Sequence, residues 1–188
     1  ALMCQAYSDA YLAFRNKYYL HSAIKNARFI LNKQCKSDHS MWRSYKDGQS
    51  SINGFLEDYA LTISAFIRLY EATFDEQWLD KAKHLTDYCQ AHFYDSQSSM
   101  FFFTSDLDAP LIARKMEIYD NVMPASSSVM ANNLFILGQL LNNSDYLNMA
   151  QQQLNNIKSD IPSYGSGYSN WAILMLNYIA PFYEVAIV

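Results

Sequence analysis

Glu57 and Asp58 stand side by side just after a glycine, in the stretch Ile52-Asn53-Gly54-Phe55-Leu56-Glu57-Asp58-Tyr59-Ala60, where a long amphipathic run begins. Paired carboxylates at the start of a helix are residue types that general acid–base catalysis uses. Adjacent helical residues point about 100° apart, so one of the two would act as acid or base while the other caps. Carboxylates in a first turn also offset the helix dipole without any further role, and both readings stand at this point. A second constellation runs Lys115-Met116-Glu117-Ile118-Tyr119-Asp120-Asn121-Val122-Met123-Pro124-Ala125-Ser126-Ser127-Ser128. Glu117 and Asp120 are candidate partners for the first pair. The hydroxyls of Ser126 and Ser128, with the free N–H groups of a helix start, would suit sugar hydroxyls or an anion. The plainer alternative is a strand-to-helix turn capped by Asp120 or Asn121.

Flat aromatic faces suit the apolar faces of sugar rings. Trp42, Phe101, Phe102, Phe103 and Trp171 offer such faces, with Arg43 beside them, and each also reads as core. Tyr59, Tyr119 and Asn121 flank the carboxylates and join the candidate binding residues. The fifteen Tyr and eleven Phe exceed what a plain helical bundle needs, which points to a lined cavity or to filled helix seams.

Other chemistries lack their signatures. His21, His39, His84 and His92 show no metal-ligand spacing, since even His84 and His92 are eight positions apart on one helix. There is no glycine-rich phosphate loop, G-x-S-x-G or H-E-x-x-H. No cofactor or metal is called for. Cys4, Cys35 and Cys89 are odd in number and widely spaced, so they read as reduced, packed thiols, and weakly as a cytoplasmic setting. A net charge of −4, with no Lys/Arg run longer than two, argues against nucleic acid as a partner. The apolar runs fall well short of the ~20 residues a membrane span needs.

One pattern then gives the chain its frame. Asn/Asp-x-x-aromatic-Leu-x-x-Ala occurs at Asn16–Ala23, Asp75–Ala82 and Asn143–Ala150, with starts 59 and 68 residues apart. The first residue can cap a helix, and the aromatic, Leu and Ala share one face. Each copy therefore marks the second helix of a helical hairpin. On this frame the sequence predicts helices over Leu2–Arg15, Tyr18–Gln34, Leu56–Thr73, Glu76–Tyr94, from Pro124 to Leu141, Asp145–Lys158 and Tyr168–Ile179, the last ended by Pro181. Met41–Tyr45 reads as a short strand within a long loop. After a turn at Asp95–Ser99, Met100–Thr104 and Leu111–Arg114 read as two strands, joined through Asp108-Ala109-Pro110. Tyr183–Val188 reads as a final strand.

Hairpins of this size closing a ring would need about six copies, on the order of 350 residues. Residues 1–188 hold about three and a half, with no internal domain boundary, and Ala1-Leu2-Met3-Cys4 opens inside a helical pattern. The expectation is an all-α chain, an open arc of a helical-hairpin toroid with short β-hairpins in its loops. The long aromatic loops after each second helix would gather at one end of the ring.

Several blocks resemble a known family. Leu56-Glu57-Asp58-Tyr59-Ala60, Tyr70-Glu71-Ala72-Thr73-Phe74-Asp75-Glu76-Gln77-Trp78-Leu79, Phe101-Phe102-Phe103-Thr104 and Glu117-Ile118-Tyr119-Asp120, followed by Pro124, Ser126 and Ser128-Val129, are similar to the YyaL-type, spermatogenesis-associated protein 20 (DUF255) family. That resemblance implies the C-terminal part of an (α/α)6 barrel of the six-hairpin glycosidase or N-acylglucosamine 2-epimerase type. It also implies a thioredoxin-like domain and the first barrel hairpins as partners elsewhere in a longer chain. Where the family usually reads Tyr-Asp-Gly-Ala-x-Pro-Ser-Gly-Asn-Ser, this chain reads Tyr119-Asp120-Asn121-Val122-Met123-Pro124-Ala125-Ser126-Ser127-Ser128. Both glycines are replaced, which changes what the loop can grip. Two functions follow. One is a carbohydrate-active or sugar-binding domain, with glycosidase or epimerase chemistry falling to Glu57, Asp58, Glu117 or Asp120. The other is a non-catalytic scaffold that holds a glycan or a protein partner.

Overall fold

The computed structural model describes residues 1–109 and 112–180. In chain order its elements are α1 (Leu2–Phe14), α2 (Lys17–Lys33), β1 (Trp42–Lys46), β2 (Gln49–Asn53), α3 (Leu56–Thr73), α4 (Glu76–His92), β3 (Tyr94–Asp95), β4 (Met100–Phe101), α5 (Ser126–Leu140), α6 (Ser144–Ile157), two short 3-10 turns (Ile161–Ser163 and Gly165–Tyr168) and α7 (Ser169–Ile179).

The recurring pattern places three helix starts. Asn16, Asp75 and Asn143 each accept a hydrogen bond from the backbone two residues on, at the heads of α2, α4 and α6. Just before each cap sits a residue in the left-handed region: Arg15 (φ 55°), Phe74 (φ 55°) and Asn142 (φ 49°). Such a residue ends a helix by letting its N–H reach back into the last turn, and Arg15 and Phe74 do so onto Tyr11 and Tyr70. Every hairpin thus turns through the same two-residue device. The aromatic and Ala of the pattern enter the core at Trp78, Ala82, Tyr146 and Ala150, and Ala23 does the same on α2. Across the third hairpin a Cβ at Gly138 would lie 2.7 Å from the Leu147 side chain, so only glycine permits α5 and α6 to cross this closely.

The helices form two layers. α1, α3, α5 and α7 contact one another in sequence as an inner row, and α2, α4 and α6 each back their own hairpin partner. α3 is buried on nearly every side, from Leu56 through Phe66 to Ala72, as expected of a helix enclosed by its neighbours. Because each turn within a hairpin is short, the three long connections, α2 to α3, α4 to α5 and α6 to α7, all meet at the N-terminal end of the inner row. This is the expected gathering of loops into a rim.

Four expectations are corrected. The long loop holds a full antiparallel hairpin, β1–β2, with Trp42 opposite Asn53 and Lys46 opposite Gln49. β4 pairs back with Tyr94–Asp95 across the Asp95–Ser99 turn, and residues 112–114 form no strand. Arg114 instead spends its guanidinium on the carbonyls of Thr104 and His92. α4 therefore stops at His92, releasing Tyr94 to the strand. α5 begins at Ser126, two residues after Pro124, because Ala125 takes the capping position. The expected final strand and the Pro181 stop lie outside the described residues. Among those residues, no helix is long and apolar enough to cross a membrane.

Candidate functional site

The rim begins with Gly54. Its N–H donates to the Met41 carbonyl at 2.8 Å, and a Cβ there would meet Met41 O and the Tyr59 ring at 3.1 Å. This close approach lays β1 across the head of α3. Arg43 of β1 then reaches both candidate carboxylates through one nitrogen, with Nη1 2.6 Å from Glu57 Oε1 and 2.9 Å from Asp58 Oδ2. Asp58 Oδ2 also accepts the Phe55 N–H at 2.9 Å, capping α3. Burial raises the Asp58 carboxyl above its ordinary range, against the pull of the Phe55 N–H and Arg43. The guanidinium lies 4.9 Å from the Phe55 ring centre, and Phe55 packs on Phe103 at 5.0 Å. Phe103 is tied into the rim on both sides, its carbonyl accepting from Leu56 and its N–H donating to Lys115.

The second constellation is spent on structure. Asp120 is buried; its Oδ1 accepts from the Ala125 N–H and the Ser128 hydroxyl, both at 2.8 Å, and its Oδ2 from the Asn170 N–H at 2.7 Å. One carboxylate therefore closes the heads of α5 and α7 together. Glu117 takes the Ser126 N–H at 2.9 Å. The helix-start N–H groups expected to grip a sugar or an anion are thus occupied by the chain's own carboxylates. Ser126 is buried and its hydroxyl has no hydrogen-bond partner among the described residues; Ser128 is buried within the Asp120 network.

The remaining candidates scatter. Trp171 is fully buried, its indole N–H donating to the Ile118 carbonyl at 2.9 Å, so it presents no open face. Tyr59 is buried and its hydroxyl accepts the Met41 N–H at 2.8 Å; burial holds the phenol well above its usual pKa. Both act as core. Trp42 is half-buried beneath the Lys36 ammonium at 3.6 Å, and Phe102 lies under Arg114 at 4.2 Å. Tyr119 is exposed and leans on Tyr168, at 5.2 Å between ring centres. Asn121 is exposed in a tight turn, its N–H donating to the Met123 carbonyl. Phe103, Lys115, Glu117 and Tyr119 share one open groove of 350 Å³ on the rim.

The inner faces of α1, α3 and α5 hold what the motifs missed. A cavity of 510 Å³ is lined there by Gln5, Ser64, Arg68, Asn132, Asn133 and Asn170, together with Asp9 and Glu71. Arg68 is paired with Asp9 and with Glu71. Asn133 joins α5 to α3, donating to Ala60 O and receiving the Ser64 hydroxyl, both at 2.7 Å. Asn132 donates to the carbonyls of Ser128 and Asn170. The signal was Asn132-Asn133 inside the apolar run Met130-Ala131 … Leu134-Phe135. Amides and hydroxyls in this setting can exchange hydrogen bonds with a polyhydroxylated ligand, and the flanking ion pairs fix the cavity's edge.

No family model matches the chain. An uncharacterized protein of Caenorhabditis elegans is 27% identical over 87% of the chain, and human spermatogenesis-associated protein 20 is 36% identical over 50% of it. The chain spans 24% and 12% of the lengths of these two relatives. Among solved structures, cellobiose 2-epimerase from Spirochaeta thermophila superposes with a TM-score of 0.69 at 16% identity, over 85% of this chain and 42% of that one. A GH76 α-mannanase of Bacteroides thetaiotaomicron gives 0.64 at 18% identity, over 83% and 39%. At such identities these likenesses speak for the fold alone. Over half its length the chain is homologous to spermatogenesis-associated protein 20, and it is built as the hairpins of an (α/α)6 toroid.

Proposed function

We propose that residues 1–188 are the C-terminal portion of one (α/α)6-barrel domain in a longer protein, and that the domain binds a carbohydrate in its lumen. The observation that carries this reading is the inner cavity, with the amides of Gln5, Asn132 and Asn170 in its lining, on the face that a toroid turns toward its centre. The toroid neighbours include sugar epimerases and mannan hydrolases, which supports a sugar as the ligand class. Binding is favoured over bond cleavage. Hydrolysis by two carboxyls needs space between them for sugar or water, and the guanidinium of Arg43 fills the space between Glu57 and Asp58. Unpaired thiols at all three cysteines fit a reducing compartment.

The test is a thermal-shift and calorimetric screen of mono- and disaccharides. A ligand at one hundred times its Kd adds about 2.7 kcal/mol, which for this size raises Tm by roughly 5–10 °C. Asn132→Ala should abolish the shift, and Glu57→Gln should leave it. A flat screen, in the full-length protein as well, would overturn the sugar reading.

A second reading is favoured by the apolar edges of the arc. Leu2, Met3 and Phe14 on α1, and Ile173, Leu176 and Ile179 on α7, stand exposed. As a scaffold, the chain would pack these edges against the remaining hairpins of a longer protein. Hydrogen exchange slowed at α1 and α7 in that longer protein would support it. Unchanged exchange would count against it.

A further inference from the structure

A separate cleft of 430 Å³ lies between the last turn of α2, the turn that follows it and α4, and shares no lining residue with the lumen. Its polar lining is Asn32, Cys35, Lys36, Ser37, His39 and Lys81, without a carboxylate. Lys81 has no ion-pair partner among the described residues. The Lys36 ammonium rests 3.6 Å over the Trp42 ring.

The acids nearby lie outside the cleft lining and have other neighbours, although Asp38 also feels the Lys36 charge. Asp38 accepts the Ser40 N–H and hydroxyl at 3.0 and 2.7 Å. Asp80 Oδ2 faces His84 Nδ1 at 3.5 Å. His84 in turn stacks on His39, with ring centres 4.6 Å apart and planes 6° from parallel. The surplus of cations is wider than the cleft. From Arg15 to Lys36 there are six Lys and Arg residues and no acid, in a chain whose net charge is −4. The C-terminal end of α2 contributes about half a negative charge, which two full ammonium charges outweigh.

We infer that this cleft is a second binding site, for the phosphate group of a small phosphate monoester. Lysines act on phosphate as point charges, and the amide of Asn32 and hydroxyl of Ser37 add neutral donors. The cleft exceeds what a bare phosphate needs and falls in the size range of small-molecule sites. Leu31 and Leu85 give the rest of the ligand an apolar wall.

Cys35 supplies a local readout, because it lines the cleft while Cys4 and Cys89 are buried. The experiment titrates inorganic phosphate and, separately, glucose 6-phosphate by calorimetry, then measures alkylation of Cys35 by iodoacetamide at pH 9 by peptide mass spectrometry. Glucose 6-phosphate should bind and slow Cys35 alkylation several-fold, while glucose should leave the alkylation rate unchanged. Lys81→Gln should weaken binding at least about tenfold, the cost of losing a charged partner, and cancel the protection relative to that variant's own ligand-free alkylation rate. Protection by phosphate alone, with no gain from the ester, would reduce the site to a simple anion hole and overturn the monoester. Equal protection by chloride at matched ionic strength, or protection untouched in Lys81→Gln, would overturn the site itself. Asn132→Ala should leave this binding intact, which separates it from the lumen.

Discussion

The backbone N–H of Asn170 donates to Oδ2 of Asp120 at 2.7 Å, joining the first turn of α7 to a loop fifty positions earlier. The same carboxylate caps α5 through Ala125 and holds the Ser128 hydroxyl. Asp120→Ala would leave the Ala125 and Asn170 N–H groups without this acceptor and remove two helix caps at once, while the Ser128 hydroxyl keeps the Ala125 carbonyl. Losses of about 0.5–2 kcal/mol per cap predict roughly 1–4 kcal/mol of destabilisation. Urea unfolding of the variant checks this.

Asp58 ties stability to pH. Its carboxyl is raised in the folded chain, chiefly by burial, so the folded state keeps its proton to higher pH than the unfolded state does. The stability it contributes is fully present below the ordinary carboxylate value and is lost as pH rises through the folded value. Asp58→Asn should flatten that decline while its amide oxygen still caps Phe55. Arg43→Ala should push the Asp58 carboxyl further up, because Arg43 now pulls it down. Carboxyl titration by NMR reads both effects.

The thiols give the opposite end of the pH scale. Burial pushes Cys4 and Cys35 up to about 11. Both states are protonated below about 9, and between 9 and 11 only the folded state keeps its protons. Stability is therefore full below pH 9 and falls as pH rises toward 11. Unfolding midpoints across this range should decline, and less steeply in Cys35→Ala. At pH 8 native alkylation should be far slower than in denaturant.

Arg15 sits at φ 55° with its side chain exposed. An L-residue in this region pays about 1–2 kcal/mol of strain, partly offset in glycine by a freer unfolded chain. Arg15→Gly should raise stability by about 0.5–1 kcal/mol, or roughly 2 °C in Tm, measured by calorimetry.

The hairpin frame was legible because its signals are local. Asn16, Asp75 and Asn143 cap where they stand, whatever surrounds them. The β1–β2 hairpin had a local signal too, in Asp47-Gly48, both at positive φ as a two-residue turn requires. Its strands, Trp42–Lys46 and Gln49–Asn53, are mostly polar and gave no alternating pattern to support it. The site was harder to read. Glu57, Asp58 and Arg43 do meet, yet the fate of Glu117 and Asp120 depended on which N–H groups came within reach, and that is set by the path of residues 112–125. That path is irregular, so periodicity could not trace it. The lumen amides were hidden for the reverse reason: Asn132 and Asn133 lie on a helix apolar enough to read as plain core.

The two ends of this arc follow different rules. Each joint between the helices of a hairpin is two or three residues long and fixed by one left-handed residue and one cap. Each connection at the rim is long, and it is held to the wall at buried residues such as Met41, Phe101, Asp120 and Tyr168. Insertions, deletions and exchanged loops would therefore be tolerated at one end and rejected at the other. A protein so built can change what it recognises over evolutionary time while its wall stays the same.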